Sequence, residues 1–85
     1  MAKKAAETFR LVIRNRQEIL FDDQVNAVTS VNGKGKFDVL AEHANFISII
    51  ERYVIIHCDG KPDQTIKIPN GLMYVDQAET KVYLE

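Results

Sequence analysis

The chain has 85 residues, enough for one small domain that buries only about 60% of the surface its unfolded form exposes. Eleven Lys and Arg against twelve Asp and Glu leave a formal charge of -1, so no overall field draws the chain to nucleic acid or an anionic membrane. No apolar run approaches the ~18 residues that span a bilayer, the start Met1-Ala2-Lys3-Lys4 lacks a signal-peptide core, and the single Cys58 has no internal disulfide partner.

Residues 1–7 read as a mobile tail and residues 8–85 as the domain. Phe9, Leu11 and Ile13 alternate with Arg10, Val12 and Arg14, the period of a strand with one face on a core. Arg14-Asn15-Arg16-Gln17-Glu18 is polar enough for a turn, after which Ile19-Leu20-Phe21 returns beside the first strand and Asp22-Asp23 closes it. Val25, Ala27, Thr29 and Val31 then share a face of a longer strand. Asn32-Gly33 is a hairpin signal, because both residue types tolerate positive φ, and Gly35 adds freedom or a bulge. In the next strand Phe37 and Val39 share one face, with Lys36, Asp38 and Leu40 on the other.

Phe46-Ile47-Ser48-Ile49-Ile50 and Tyr53-Val54-Ile55-Ile56-His57-Cys58 are rich in residues that suit a half-buried pleated surface, and are expected at the centre of the fold. Asp59-Gly60 opens a turn, Ile66 and Ile68 face inward from the strand after it, and Pro69-Asn70-Gly71 turns again. A last hairpin joins Leu72-Met73-Tyr74-Val75 to Lys81-Val82-Tyr83-Leu84. Nine to ten short strands with no room for a crossover helix make the chain all-β: a small sandwich of two sheets packed face to face.

The residues offer little chemistry. His57 and Cys58 are neighbours in a strand and point to opposite faces, so they cannot share a metal. Asp22-Asp23 and Asp59-Gly60 lack the spaced ligands of a calcium loop, and Gly33-Lys34-Gly35-Lys36 has neither P-loop spacing nor a helix after it. No catalytic, cofactor-binding or metal-binding residue is assigned. Lys34, Lys36, Lys61 and Lys67 near aromatics could suggest a nucleic-acid surface, but the near-neutral charge opposes it and no nucleic-acid partner is expected. His43 either ties two backbone segments together or contacts a partner. Tyr53, Tyr74 and Tyr83 could be interface anchors, but as strand-borne aromatics they are read first as packing residues.

One stretch is more specific. Gly35-Lys36-Phe37-Asp38-Val39-Leu40-Ala41-Glu42-His43-Ala44-Asn45 resembles the Gly-x-Phe-Gly-Ile-Leu-Pro-Gly-His-Ala-Pro run in the N-terminal β-sandwich of the ε subunit of rotary F-type ATP synthases. Gly35, Phe37, Leu40, His43 and Ala44 match. Further landmarks follow in order from residue 9 to residue 85: the opening Phe9-Arg10-Leu11-Val12-Ile13, the return Ile19-Leu20-Phe21, the strand Val25-Asn26-Ala27-Val28-Thr29, and the closing Asn70-Gly71-Leu72-Met73-Tyr74-Val75 and Lys81-Val82-Tyr83-Leu84. Asp38 stands in place of a family glycine, Ala41-Glu42 of Pro-Gly, Asn45 of a proline, Lys36 of a usual acid, and Tyr53 where a glycine is frequent.

The resemblance implies a non-catalytic rotor subunit that docks on the γ subunit and the c-ring and helps couple ion-driven rotation to ATP synthesis. It places the protein at the cytoplasmic face of the inner membrane, peripheral and held there by the complex. It implies a short form without the C-terminal inhibitory helices, and partner contacts at Lys34, Gly35, Lys36, Asp38, Glu42 and His43. An alternative is the same sandwich recruited as an interaction module in another complex, since a fold does not fix a function.

Overall fold

β-branched and aromatic residues at alternate positions produce seven strands in the computed structural model, which describes residues 7–41, 45–76 and 79–84. They are β1 (Phe9–Arg14), β2 (Ile19–Val25), β3 (Ala27–Asn32), β4 (Gly35–Leu40), β5 (Phe46–His57), β6 (Gln64–Val75) and β7 (Glu79–Leu84), hydrogen-bonded in the order β2-β1-β7-β6-β5-β3-β4. Every adjacent pair is antiparallel except β1 with β7, which run parallel with Leu11 opposite Thr80 and Ile13 opposite Val82.

The two long strands turn this continuous sheet into a sandwich. Residues 46–51 of β5 pair with residues 70–75 of β6, and residues 52–56 pair with residues 64–68, with a register shift between Glu51 and Arg52. β7 attaches only to the later half of β6, and β3 only to residues 51–57 of β5. One layer is therefore β2, β1, β7 and the 71–75 and 46–50 halves of the long strands. The other is β4, β3 and the 51–57 and 64–68 halves. Strands that cross between layers at a bulge make the corner of such a sandwich. At that corner Arg52 takes a φ of 77°, a left-handed conformation that costs a side-chain-bearing residue about 1–2 kcal/mol.

The seven strands correct the expected nine to ten. Residues 46–58 and 64–75 each looked like two strands with a break, but the chain bends through a bulge and keeps its ladder. Pro69-Asn70-Gly71 is accordingly no turn: all three lie inside β6. Gly71 allows close approach, since a Cβ there would stand 2.8 Å from the Tyr83 carbonyl oxygen and 2.8 Å from Leu84 Cδ2. Asp22-Asp23 does not close β2 either, because at this open border their side chains stay exposed while pairing with β1 continues to Val25.

Between the layers lie Phe9, Leu11, Ile13, Val25, Met73, Val75, Val82 and Ile50 from one side and Val28, Val39, Val54, Ile56 and Ile68 from the other. Phe37 and Phe46 meet edge to face across the gap, ring centres 6.1 Å apart. Thr29 is not on the core face, as the alternation from Val25 implied. Asn26 interrupts that alternation where the chain passes from β2 to β3. Its N–H donates to the His57 carbonyl (2.8 Å) and its Oδ1 accepts from the Asp59 N–H (2.7 Å). Val28 and Ser30 face inward instead, and the buried Ser30 hydroxyl donates to the Tyr53 carbonyl at 2.8 Å.

The short turns are built by side chains. Asn15 Oδ1 accepts from the N–H groups of Gln17 and Glu18, both at 2.9 Å, which closes the β1–β2 connection. In the β3–β4 hairpin the positive φ sits at Gly35 (121°), not at Asn32 or Gly33. Asn32 contributes through its amide, accepting from the Lys34 N–H at 2.8 Å and donating to Ser48 Oγ at 3.2 Å. Gly60, with φ 80°, sits in the Asp59-Gly60 turn, closed by Lys61 N–H to the Cys58 carbonyl at 3.1 Å.

Candidate interaction surfaces

The outer face of each layer carries the polar chemistry of the domain. On the layer built from β3, β4 and the later part of β5, Thr29 sits beside Asp38 and His57 because β3 pairs with both neighbouring strands at that level. The Thr29 hydroxyl donates to Asp38 Oδ1 at 2.5 Å and lies 2.8 Å from His57 Nε2. His57 Nδ1 is 3.0 Å from Asp63 Oδ1. Hydroxyl, imidazole and carboxylate follow the order of a nucleophile with its base and orienter, but Thr29 is only 3% exposed and already shared with Asp38. A hydroxyl so covered cannot reach a substrate carbonyl. The chain of contacts instead ties β3, β4, β5 and the turn before β6 together. Cys58 points elsewhere, half-buried against the core with Sγ 3.7 Å from the Gln24 carbonyl oxygen.

The opposite layer has a divided outer face. On its β2–β1–β7 side, Arg10 Nε and Nη2 donate to the two Asp22 oxygens at 2.9 and 2.8 Å, and Glu79 stands 3.8 Å from Arg10 and 3.6 Å from Lys81. The hydrogen bond from Arg10 holds the Asp22 carboxyl below its ordinary range, and the same bond raises Arg10. The β6–β5 side is apolar. Ile47 (62% exposed), Ile49 (73%), Leu72 (41%), Tyr74 (47%) and Tyr83 (41%) all project outward. They are neighbours by register, with Ile47 opposite Tyr74, Ile49 opposite Leu72, and Leu72 opposite Tyr83. An uninterrupted apolar group of this kind on a small domain marks a surface that meets another molecule.

Of the six contact residues expected from sequence, three are brought together. Lys34 at the hairpin turn, with Gly35 and Lys36 at the start of β4, rims a shallow concavity of about 510 Å³ with Glu51, Arg52 and Tyr53. Asp38 lies further along β4, and its Oδ1 is taken by Thr29. Glu42 and His43 fall outside the described residues, as does most of the expected tail. The apolar face as a whole was not anticipated: Ile47 and Ile49 were expected at the centre of the fold, and Tyr74 and Tyr83 first as packing residues, with an interface role only as the alternative. Phe-Ile-Ser-Ile-Ile is apolar on both of its faces, so alternation alone cannot separate a strand covered twice from one covered once.

Residues 8–85 match the family model described as ATP synthase, Delta/Epsilon chain, beta-sandwich domain. The chain is 33% identical over 76 residues to the ATP synthase epsilon chain of Sulfurovum sp. (strain NBC37-1), covering 87% of this chain and 59% of that one. It is 30% identical over 77 residues to the ATP synthase epsilon chain of Sulfurimonas denitrificans, covering 89% and 59%. It thus spans little more than half the length of these relatives. A chain in the cryo-EM structure of the Euglena gracilis mitochondrial ATP synthase, OSCP/F1/c-ring in rotational state 1, superposes with a TM-score of 0.84 at 17% identity, over 98% of this chain and 53% of that one.

Proposed function

Because this chain belongs to the ATP synthase delta/epsilon family of β-sandwich domains, we propose that it serves as a non-catalytic part of the central stalk of an F-type ATP synthase. Its role is to dock on the γ subunit and the c-ring, so that ion-driven rotation is passed to catalysis in other subunits. The supporting observation is the apolar outer face of Ile47, Ile49, Leu72, Tyr74 and Tyr83, which an isolated domain has no reason to present. That face is the γ-facing side. The hairpin end at Gly35 and Lys36 is the side offered to the c-ring, where Lys36 presents a cation in place of the acid usual in the resembling family. In this reading the complex holds the chain, as a peripheral part, at the cytoplasmic face of the inner membrane.

The test is co-expression with the γ subunit of the same organism. A stable complex is expected, weakened at least tenfold when Ile49 and Tyr74 are both replaced by Ser, with the free domain still folded. A chain that ignores γ but is retained by an unrelated complex would overturn the reading.

A further inference from the structure

Four stretches of sheet border are open among the described strands: β2, β4, residues 64–68 of β6, and the early half of β5. Soluble proteins protect such borders with charges, proline or bulges, because unpaired main-chain groups recruit other strands. Three of the four follow that rule. β2 carries Asp22 and Asp23, β4 carries Lys36 and Asp38, and the outer half of β6 carries Lys67 with Pro69 just beyond.

The early half of β5 does not. Phe46-Ile47-Ser48-Ile49-Ile50 has neither charge nor proline. Residues 47–50 pair with β6 on one side and with none of the described strands on the other, since β3 joins β5 only from Glu51 onward. A groove of about 730 Å³ runs beside this edge, with Ile47, Ile49 and Leu72 along one wall and Gly33 and Lys34 along the other. The amide of Asn32, donating to Ser48 Oγ at 3.2 Å, holds the hairpin that forms the second wall. Lys34 makes no ion pair among the described residues, which leaves the mouth of the groove positive.

We propose that residues 47–50 are a strand-addition site. An extended segment of the γ subunit, apolar at alternate positions and acidic where it passes Lys34, pairs its main chain with this edge and rests its side chains on Ile47, Ile49 and Leu72. Only an extended backbone satisfies a row of strand N–H and C=O groups, and alternate side chains then fall on one face. A second copy of this chain is the poorer occupant: paired edge to edge, its own residues 46–50 bring no acid to Lys34, and on its open β2 edge both Asp22 oxygens already accept from Arg10. The inference rests on the central-stalk reading and adds to it the manner of contact.

Amide hydrogen exchange on the free chain and on its complex with γ tests it. Two alternate amides within residues 47–50 should exchange at least tenfold more slowly in the complex. Replacing both Ile47 and Ile49 by Lys, at positions exposed in the free domain, should weaken γ binding at least tenfold without unfolding the chain. A γ complex in which none of these amides gains protection overturns strand addition and leaves the central-stalk reading standing. Failure to bind γ overturns both. A free chain that dimerises through this edge, with the same amides protected, overturns the choice of partner.

Discussion

Replacing Gly71 by Ala puts one methyl group where the last two strands come closest. The new Cβ would stand 2.8 Å from the Tyr83 carbonyl oxygen and 2.8 Å from Leu84 Cδ2. Leu84 can rotate away, but the carbonyl belongs to the β7 backbone opposite Gly71 and can move only with its strand. Ordinary carbon–oxygen contacts begin near about 3.3 Å, so β7 must shift by roughly half an ångström. Overpacking of that kind costs about 1–3 kcal/mol, against which the stiffer unfolded chain returns about 0.4–1 kcal/mol. The net loss is about 1–2 kcal/mol, or roughly 4–15 °C of melting temperature in a domain this small. Gly33→Ala is the control: nothing lies within 4 Å of its Cβ position and its φ is not left-handed, so its stability should change by less than about 0.5 kcal/mol. Thermal unfolding followed by circular dichroism, with urea midpoints alongside, compares the two variants. If Gly71→Ala melts no lower than Gly33→Ala, the close approach of β7 is not what holds glycine at that position.

Arg52→Gly should stabilise the free domain by about 0.5–1 kcal/mol, because relief of the left-handed backbone outweighs the entropy cost of glycine; a urea midpoint that falls would contradict this. Thr29→Val keeps the shape of the side chain but removes the hydroxyl that Asp38 and His57 share, and should cost about 1–3 kcal/mol in the same titration. Asp22 is held low by Arg10, so its contribution to stability is fully present above the unfolded carboxylate value of about 3.9 and is lost as pH falls through the lower folded value. Arg10→Met should therefore remove a stability increment seen above about pH 5 and converge with the parent in stronger acid. A gap that stays constant down to pH 2 would refute the assignment.

How much of this was legible in the sequence depended on what a one-dimensional pattern can carry. The inward positions of β1 and β4 follow directly from alternation, and Phe9, Leu11, Ile13, Phe37 and Val39 lie where that period puts them. Turns written in local chemistry, at Asn15 and Asp59-Gly60, were equally readable. Continuity through a bulge was not: Glu51-Arg52 and Pro69-Asn70-Gly71 carry the polar and glycine signals of turns, and only pairing with a neighbouring strand keeps the chain extended there. The parallel contact of β1 with β7 had no local signature at all. On the surface, Lys34 and Lys36 were named as partner contacts through the resemblance, without the concavity they share in the fold, and the apolar face depended on knowing which side of residues 46–50 remains uncovered. That depends on where β3 stops beside β5, a property of the assembled sheet rather than of the segment.

The parallel pairing of β1 with β7 has a consequence for how the protein is made. Leu11 and Ile13 have Asp23 and Phe21 beside them on one side, but their neighbours on the other side are Thr80 and Val82, so one flank of the domain's first strand waits for its last. Closing a loop over nearly the whole chain carries a large entropy cost before any contact repays it, which slows folding relative to proteins with local contacts. During translation the β3–β4 hairpin and its pairing with β5 can form early, whereas β1 and β2 remain without their central neighbour until β7 has left the ribosome. The nascent domain therefore passes through a period in which Phe9, Leu11 and Ile13 are uncovered, the interval when a chaperone has most to bind.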